Sequence, residues 1–244
     1  MIRLANTIRA CVFGVSGGIG RALCDKLLES DRVARVYAGA RNEVSLRHEK
    51  LTSFTFDLLD EESIASSARA ISKDGPLDLV IVATGVLQSE KLWPEKTWRA
   101  INADQMATAF AINAIGPALI AKHSLPLLRS DGRAVFAALS ARVGSIGDNH
   151  LGGWHSYRAS KAALNQLVRN FAIELQRKNE EAIAVALHPG TVDTRLSRPF
   201  QRGLPDGQPV SPETSAAHLL RVIGNLTPKD HGHHLAWDGS RIPS

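Results

Sequence analysis

The stretch "ACVFGVSGGIGRALCDKLLESD" (10–31) runs an apolar, β-branched segment straight into three spaced glycines and then into a helical apolar pattern. Gly14, Gly18 and Gly20 form a G-x-x-x-G-x-G string at the join. A glycine cluster by itself marks a tight turn. Between a strand and a helix it does more, because only glycine lets the main chain come close enough for backbone N–H groups to hold an anion at the helix N-terminus. The loop, with Ser16 and Ile19 between its glycines, is predicted to cradle nucleotide phosphates.

The rest of the chain repeats the strand-then-helix alternation. "RVYAGA" (35–40), "SFTFDL" (53–58), "LDLVIVA" (77–83), "RAVFAAL" (133–139), "IAVALHP" (183–189) and "HHLAWD" (233–238) read as further strands. Segments 20–31, 60–72, 104–128 and 156–178 carry apolar residues at helical spacing. Near-continuous apolar strands alternating with helices predict an α/β fold, a Rossmann-type doubly wound parallel sheet covered on both faces. With no repeat, linker or low-complexity segment, residues 1–244 read as a single domain. One long irregular stretch, 191–211, is rich in Pro, Gly and charge and reads as a functional lid. It ends where Ser211 offers an N-cap and Pro212 a first helical residue.

Composition narrows the classes. A net charge of +5 is spread along the chain rather than clustered, which argues against a nucleic-acid partner. Only Cys11 and Cys24 are present, so no disulfide framework is expected and a reducing cytoplasm is the default compartment. The longest apolar run, 77–87, is about half a membrane-spanning helix, so no membrane partner is expected. The three His of "DHGHH" (230–234) come without a paired acid or Cys, and no metal site is expected. Trp93, Trp98 and Trp154 read as core or interface residues, with Trp154 also near enough to Tyr157 to line a pocket.

"HSYRASKAALN" (155–165) sets Tyr157 and Lys161 one helical turn apart, on one face. In order along the chain, the glycine string, "DLLD", "VATGVL", "FAINAIGPALIAKHSLPLL", this pair and "HPGTVDT" resemble the motifs of short-chain dehydrogenases/reductases. "LAWDGSRIP" and "ARVGSI…GGWHSYRASKAALN" resemble the C-factor-like branch of that family, and the resemblance spans residues 8–242. It implies Tyr157 as catalytic acid/base and Lys161 as its electrostatic partner and a ligand of the nicotinamide ribose. It implies Asn113 as the holder of a relay water; by itself Asn113 reads as a helix packing contact. Asp57 is implied at the adenine, with Leu58 beside it, although an acid there also suits a helix start. Gly85 is the one match to the family's N-N-A-G string. Pro189, Gly190, Val192 and Thr194 are implied at the nicotinamide carboxamide.

The family's serine is displaced. Aligned on Gly144, its place falls on Ala141, so Ser140 reached through a bulge, Ser145, or no serine at all fills the role; Ser140 is the preferred reading. "VYAGARN" presents Arg41 and no acid at the end of the second strand, which points to NADP, with NAD also possible. Arg41 also reads as a solvated loop charge. The implied function is an oxidoreductase interconverting a small-molecule carbonyl and a secondary alcohol, as a homodimer or homotetramer. The alternative is a nucleotide-binding sensor or cell-signalling protein of the same fold with little turnover.

Overall fold

A computed structural model describes residues 7–244. Seven parallel strands form one sheet in the order β3-β2-β1-β4-β5-β6-β7. They are β1 (Ile8–Phe13), β2 (Val33–Ala40), β3 (Leu51–Thr55), β4 (Leu79–Val82), β5 (Val135–Leu139), β6 (Ile183–His188) and β7 (His234–Ala236). The helices between them are α1 (Gly18–Leu28), α2 (Glu61–Ser72), α3 (Ala103–Phe110), α4 (Gly116–Ser124), α5 (His155–Gln176) and α6 (Pro212–Asn225). This is the doubly wound Rossmann-type arrangement the alternation predicts.

Successive residues of each central strand point to opposite faces, so the sheet carries two cores. Val12, Ile81, Leu139 and Leu187 pack with α1 and α6 on one face. Phe13, Val82, Phe136 and Ala186 pack with α2, α4 and α5 on the other. Strand order reverses between β1 and β4, and the crevice beyond their carboxyl ends is where such sheets take ligands. Among the described residues no helix is long and apolar enough to cross a membrane.

Three expectations need correction. The third strand ends at Thr55, not 58: Phe56 and Leu58 are buried, but they enter the core after the ladder has stopped. The helix expected over 104–128 is α3, a π turn (Ala111–Ile115) and α4 in succession. Pro117 has no N–H to give the Asn113 carbonyl one turn back, and the register slips so that Gly116 N–H reaches the Ala111 carbonyl, five residues back. Of the two places expected for Trp93 and Trp98, core or interface, their exposure removes the core, and Trp98 lies under the Arg99 guanidinium. The start of α6 is as predicted, with Ser211 Oγ accepting from Thr214 N at 3.1 Å.

The loop 191–211 is tied at its base by a bridge between Val192 and Val210. Asp193 N donates to the Val210 carbonyl (2.9 Å) and Val210 N to that of Thr191 (3.0 Å). Both ends of the loop are thereby anchored beside the carboxyl end of β6.

Candidate active site

The glycine loop lies where β1 gives way to α1. Gly14 has φ +98°, and a Cβ there would stand 2.9 Å from the Ala83 backbone. A Cβ on Gly20 would stand 2.3 Å from the Gly14 carbonyl oxygen. The loop is therefore folded flat against the end of β4, and the first turn of α1 has no capping side chain and no acid of its own. Its N-terminal N–H groups, around Gly18 and Ile19, are those a helix leaves without partners. Thr84, just past β4, has a buried hydroxyl with no partner, and its methyl would lie 3.1 Å from a Gly14 Cβ. An unfilled hydroxyl beside a stripped glycine cradle fits a dinucleotide lying across the crevice.

The other expected cofactor residues gather at the same edge. Arg41, exposed, is the first residue past β2. Asp57 follows β3 with one carboxylate oxygen accepting from Leu59 N (2.9 Å). Leu58 turns its side chain into the core against Gly116, which leaves only its backbone for a ligand. From the far side, Gly190 (φ +81°) lets the chain turn after Pro189, whose carbonyl accepts from Ser215 Oγ at 2.9 Å. Val192 is buried, and the Thr194 methyl would lie 3.1 Å from a Cβ on Gly18, so the 189–194 turn touches the glycine loop.

Tyr157 and Lys161 lie on the buried face of α5. The Tyr157 hydroxyl has no hydrogen-bond partner among the described residues, and burial pushes its pKa up. Lys161 Nζ donates to the Leu139 carbonyl at the end of β5 (2.8 Å), and burial lowers its pKa to about 8. A Cβ on Gly85 would stand 3.4 Å from both Lys161 Nζ and Asn113 Oδ1, which places both groups beside Gly85 just past β4. Asn113 is buried in the π turn and its amide is fully used: Oδ1 accepts from Val86 N (2.8 Å), and Nδ2 donates to the Val86 carbonyl (2.8 Å) and Ser160 Oγ (3.1 Å). Its backbone carbonyl is the one that Pro117 leaves without an α-helical donor.

The serine question has a geometric answer for Ser140. The β5–β6 register stays regular through Leu139, and Ser140 N continues it to the Leu187 carbonyl (2.8 Å), so no bulge re-aims the side chain. Ser140 Oγ donates instead to Asn165 Oδ1 (2.7 Å), two turns along α5 from Tyr157. Asn165 in turn meets the Gly144 carbonyl (3.3 Å) and His234 Nδ1 (3.4 Å). Ser140 thus belongs to a buried hydrogen-bond network with Asn165. Ser145 is buried, accepts from Asp148 N (3.0 Å), and donates its own hydrogen to nothing among the described residues. It follows Gly144, whose Cβ would stand 2.8 Å from that of Lys161, so it lies beside the pair.

One group escaped the sequence reading. Glu95, buried in the loop before α3, caps α5 from a distance: its carboxylate accepts from Ser156 N (3.1 Å) and Ser156 Oγ. Burial raises its pKa, but the Ser156 hydrogen bonds and a backbone N–H outweigh that, and the net shift is downward. Its backbone carbonyl also accepts from Trp154 N (2.5 Å), the residue that precedes α5 in a left-handed conformation, φ 51°. An acid at a helix N-terminus is stabilised by the aligned peptide dipoles. Glu95→Ala is expected to cost about 1–2 kcal/mol, a fall of about 2–8 °C in Tm, with Glu95→Gln recovering part. Thermal unfolding of the three proteins checks this. Within "DHGHH", His231 has a structural role: its Nδ1 accepts from Ala184 N (3.0 Å) and its Nε2 meets the Ala172 carbonyl (2.6 Å), pinning β6 to α5.

Fold and crevice define a dinucleotide-binding α/β protein. The family model for short chain dehydrogenases matches residues 9–204. The C-signal protein of Myxococcus xanthus is 36% identical over 69% of this chain and 93% of its own length. A 1-hydroxy-2-glutathionyl-2-methyl-3-butene dehydrogenase of Rhodococcus is 33% identical over 75% of this chain and 76% of its own. The NADPH-bound carbonyl reductase from chicken fatty liver superposes with a TM-score of 0.84 at 26% identity, covering 100% of this chain and 96% of that one. The chain belongs to the short-chain dehydrogenase family and is an oxidoreductase of the CH–OH/C=O class that uses a nicotinamide dinucleotide.

Proposed function

We propose that this protein reduces a small carbonyl compound to a secondary alcohol with NADPH, and runs the reverse reaction with NADP. The observation that carries the reading is the unpartnered Tyr157 hydroxyl beside Lys161, at the edge where the glycine loop, Gly85 and the 189–194 turn converge. The bound nucleotide supplies or accepts the hydride. Tyr157 gives its proton to the carbonyl oxygen, or takes one from the alcohol. A phenol is a poor base at neutral pH, and burial alone makes this one poorer. Lys161 counters that, because an ammonium one turn away favours phenolate. A water on the Asn113 carbonyl links Lys161 to solvent and returns the proton. The sensor alternative does not need an acid/base pair held in this way. Turnover of carbonyl compounds with NADPH tests the reading.

Ser145 holds the substrate oxygen. Ser145→Ala is expected to lower kcat on the order of 100-fold, the usual cost of removing such a donor. Ser140→Ala is expected to change kcat less than threefold and instead to cost about 1 kcal/mol of stability, since it strips Asn165 Oδ1 of its donor. Steady-state rates and thermal melts on the two variants separate the roles.

Arg41 binds the 2′-phosphate of NADP, and no acid stands at the end of β2 to repel it. NADPH is expected to bind more tightly than NADH. Arg41→Ala is expected to weaken NADPH about tenfold, the loss of one charge-assisted pair, and to leave NADH nearly unchanged. Fluorescence titration of both nucleotides measures it.

A further inference from the structure

Three aromatic side chains from separate segments meet above Tyr157. The Trp154 ring lies 6.2 Å from that of Tyr157, edge to face. Phe200, in the lid, packs T-shaped on Trp154 at 5.0 Å and lies 5.4 Å from Trp93. Trp154 is aimed by its backbone: Gly152, Gly153 and Trp154 all have positive φ, and the Trp154 N–H is fixed to the Glu95 carbonyl. A left-handed backbone at a bulky residue is strained and is kept where the surroundings hold it for a purpose. Trp93 is 51% exposed and Phe200 half-buried, so the cluster opens to solvent rather than closing a core. Neither guanidinium seen over a ring among the described residues belongs to it: those are Arg9 on Tyr37 and Arg99 on Trp98.

We propose that Trp154, Phe200 and Trp93 form the wall that selects substrate, and that the substrate is a neutral carbonyl compound with an aryl group on its carbonyl carbon. The inference rests on the reading of Tyr157 as proton donor. With the carbonyl oxygen at the Tyr157 hydroxyl, a substituent on the carbonyl carbon meets the ring nearest Tyr157, which is Trp154. An aryl group offers that wall both a flat face and a polarised edge, and aromatic pairs hold each other more strongly than burial alone accounts for. A saturated ring of equal size has only its apolar surface to give. Phe200 brings the lid into the same contact, so seating an aryl group and closing the lid draw on one set of rings.

The test compares acetophenone with cyclohexyl methyl ketone. KM and kcat are measured with NADPH for the native protein, Phe200→Leu, Phe200→Tyr and Trp93→Leu. In parallel, each ketone is titrated calorimetrically into NADPH-saturated Tyr157→Phe protein, where binding is read without turnover. The native protein is expected to show a KM about tenfold lower for acetophenone. Phe200→Leu and Trp93→Leu bring the two KM values within about threefold, and Phe200→Tyr keeps the difference. The titration shows the same preference. Equal KM values, or equal affinities in the titration, overturn the aryl wall while Tyr157-dependent turnover leaves the reductase reading standing. Preferential binding of acetophenone with no turnover by the native protein supports the wall and removes the reductase reading.

Discussion

Replacing Tyr157 by Phe is expected to lower kcat for carbonyl reduction by about a thousandfold while NADPH affinity stays within a factor of two. General acid–base groups contribute about 10²–10⁴-fold. The ring is kept, so its packing against Trp154 and its burial are kept, and the loss isolates the hydroxyl. The hydroxyl has no partner among the described residues, so removing it leaves no buried group stranded. The pH dependence has a definite sign. Reduction needs the phenol protonated and falls as pH rises through its pKa; oxidation needs phenolate and rises over the same range. Lys161, with its pKa brought to about 8 by burial, still carries its charge at neutral pH and loses it as pH rises past that value. Stopped-flow and steady-state rates from pH 6 to 10 in both directions check the profile, and Tyr157→Phe is expected to flatten it.

Gly20→Ala carries the second large effect. Its methyl would stand 2.3 Å from the Gly14 carbonyl oxygen and 2.8 Å from the carbonyl carbon, both backbone atoms that cannot swing aside. Gly14 leaves no room beside it either, since a Cβ there would stand 2.9 Å from the Ala83 backbone, so the loop has little space to retreat toward β4. The main chain must move outward, into the space a pyrophosphate would take. The expected cost is about 1–3 kcal/mol of stability, and a loss of NADPH affinity of at least about 100-fold. Ser16→Ala, which changes no backbone contact, serves as the comparison. Nucleotide titration and thermal unfolding report the two effects separately.

These positions also show what can be read from sequence. The parallel sheet covered on both faces follows from apolar runs alternating with helices, and Gly14, Gly18 and Gly20 announce the crevice because their spacing answers a backbone requirement. Boundaries were less legible where burial outlasts hydrogen bonding, as at Phe56 and Leu58. The π turn at Asn113 had a visible signal in Pro117, placed four residues on, where its missing N–H falls on the Asn113 carbonyl. The bulge expected at Ser140 is absent, because the ladder stays regular through Leu139. Glu95 had no local signal at all. Its partner Ser156 is 61 residues away, and a cap supplied across that distance exists only once the chain has folded. The same holds for Phe200, whose place over Trp154 depends on how the Val192–Val210 bridge sets the lid.

The central claim is hydride transfer from nicotinamide to a carbonyl carbon with Tyr157 as proton donor. The most direct measurement incubates the protein with NADPH carrying deuterium at the transferable C4 position and a carbonyl compound, then locates the label in the product. One deuterium on the carbinol carbon, formed by the native protein and suppressed about a thousandfold in Tyr157→Phe, is the predicted result. Tight NADPH binding with no deuterium in any alcohol, or equal labelling by both proteins, would contradict it.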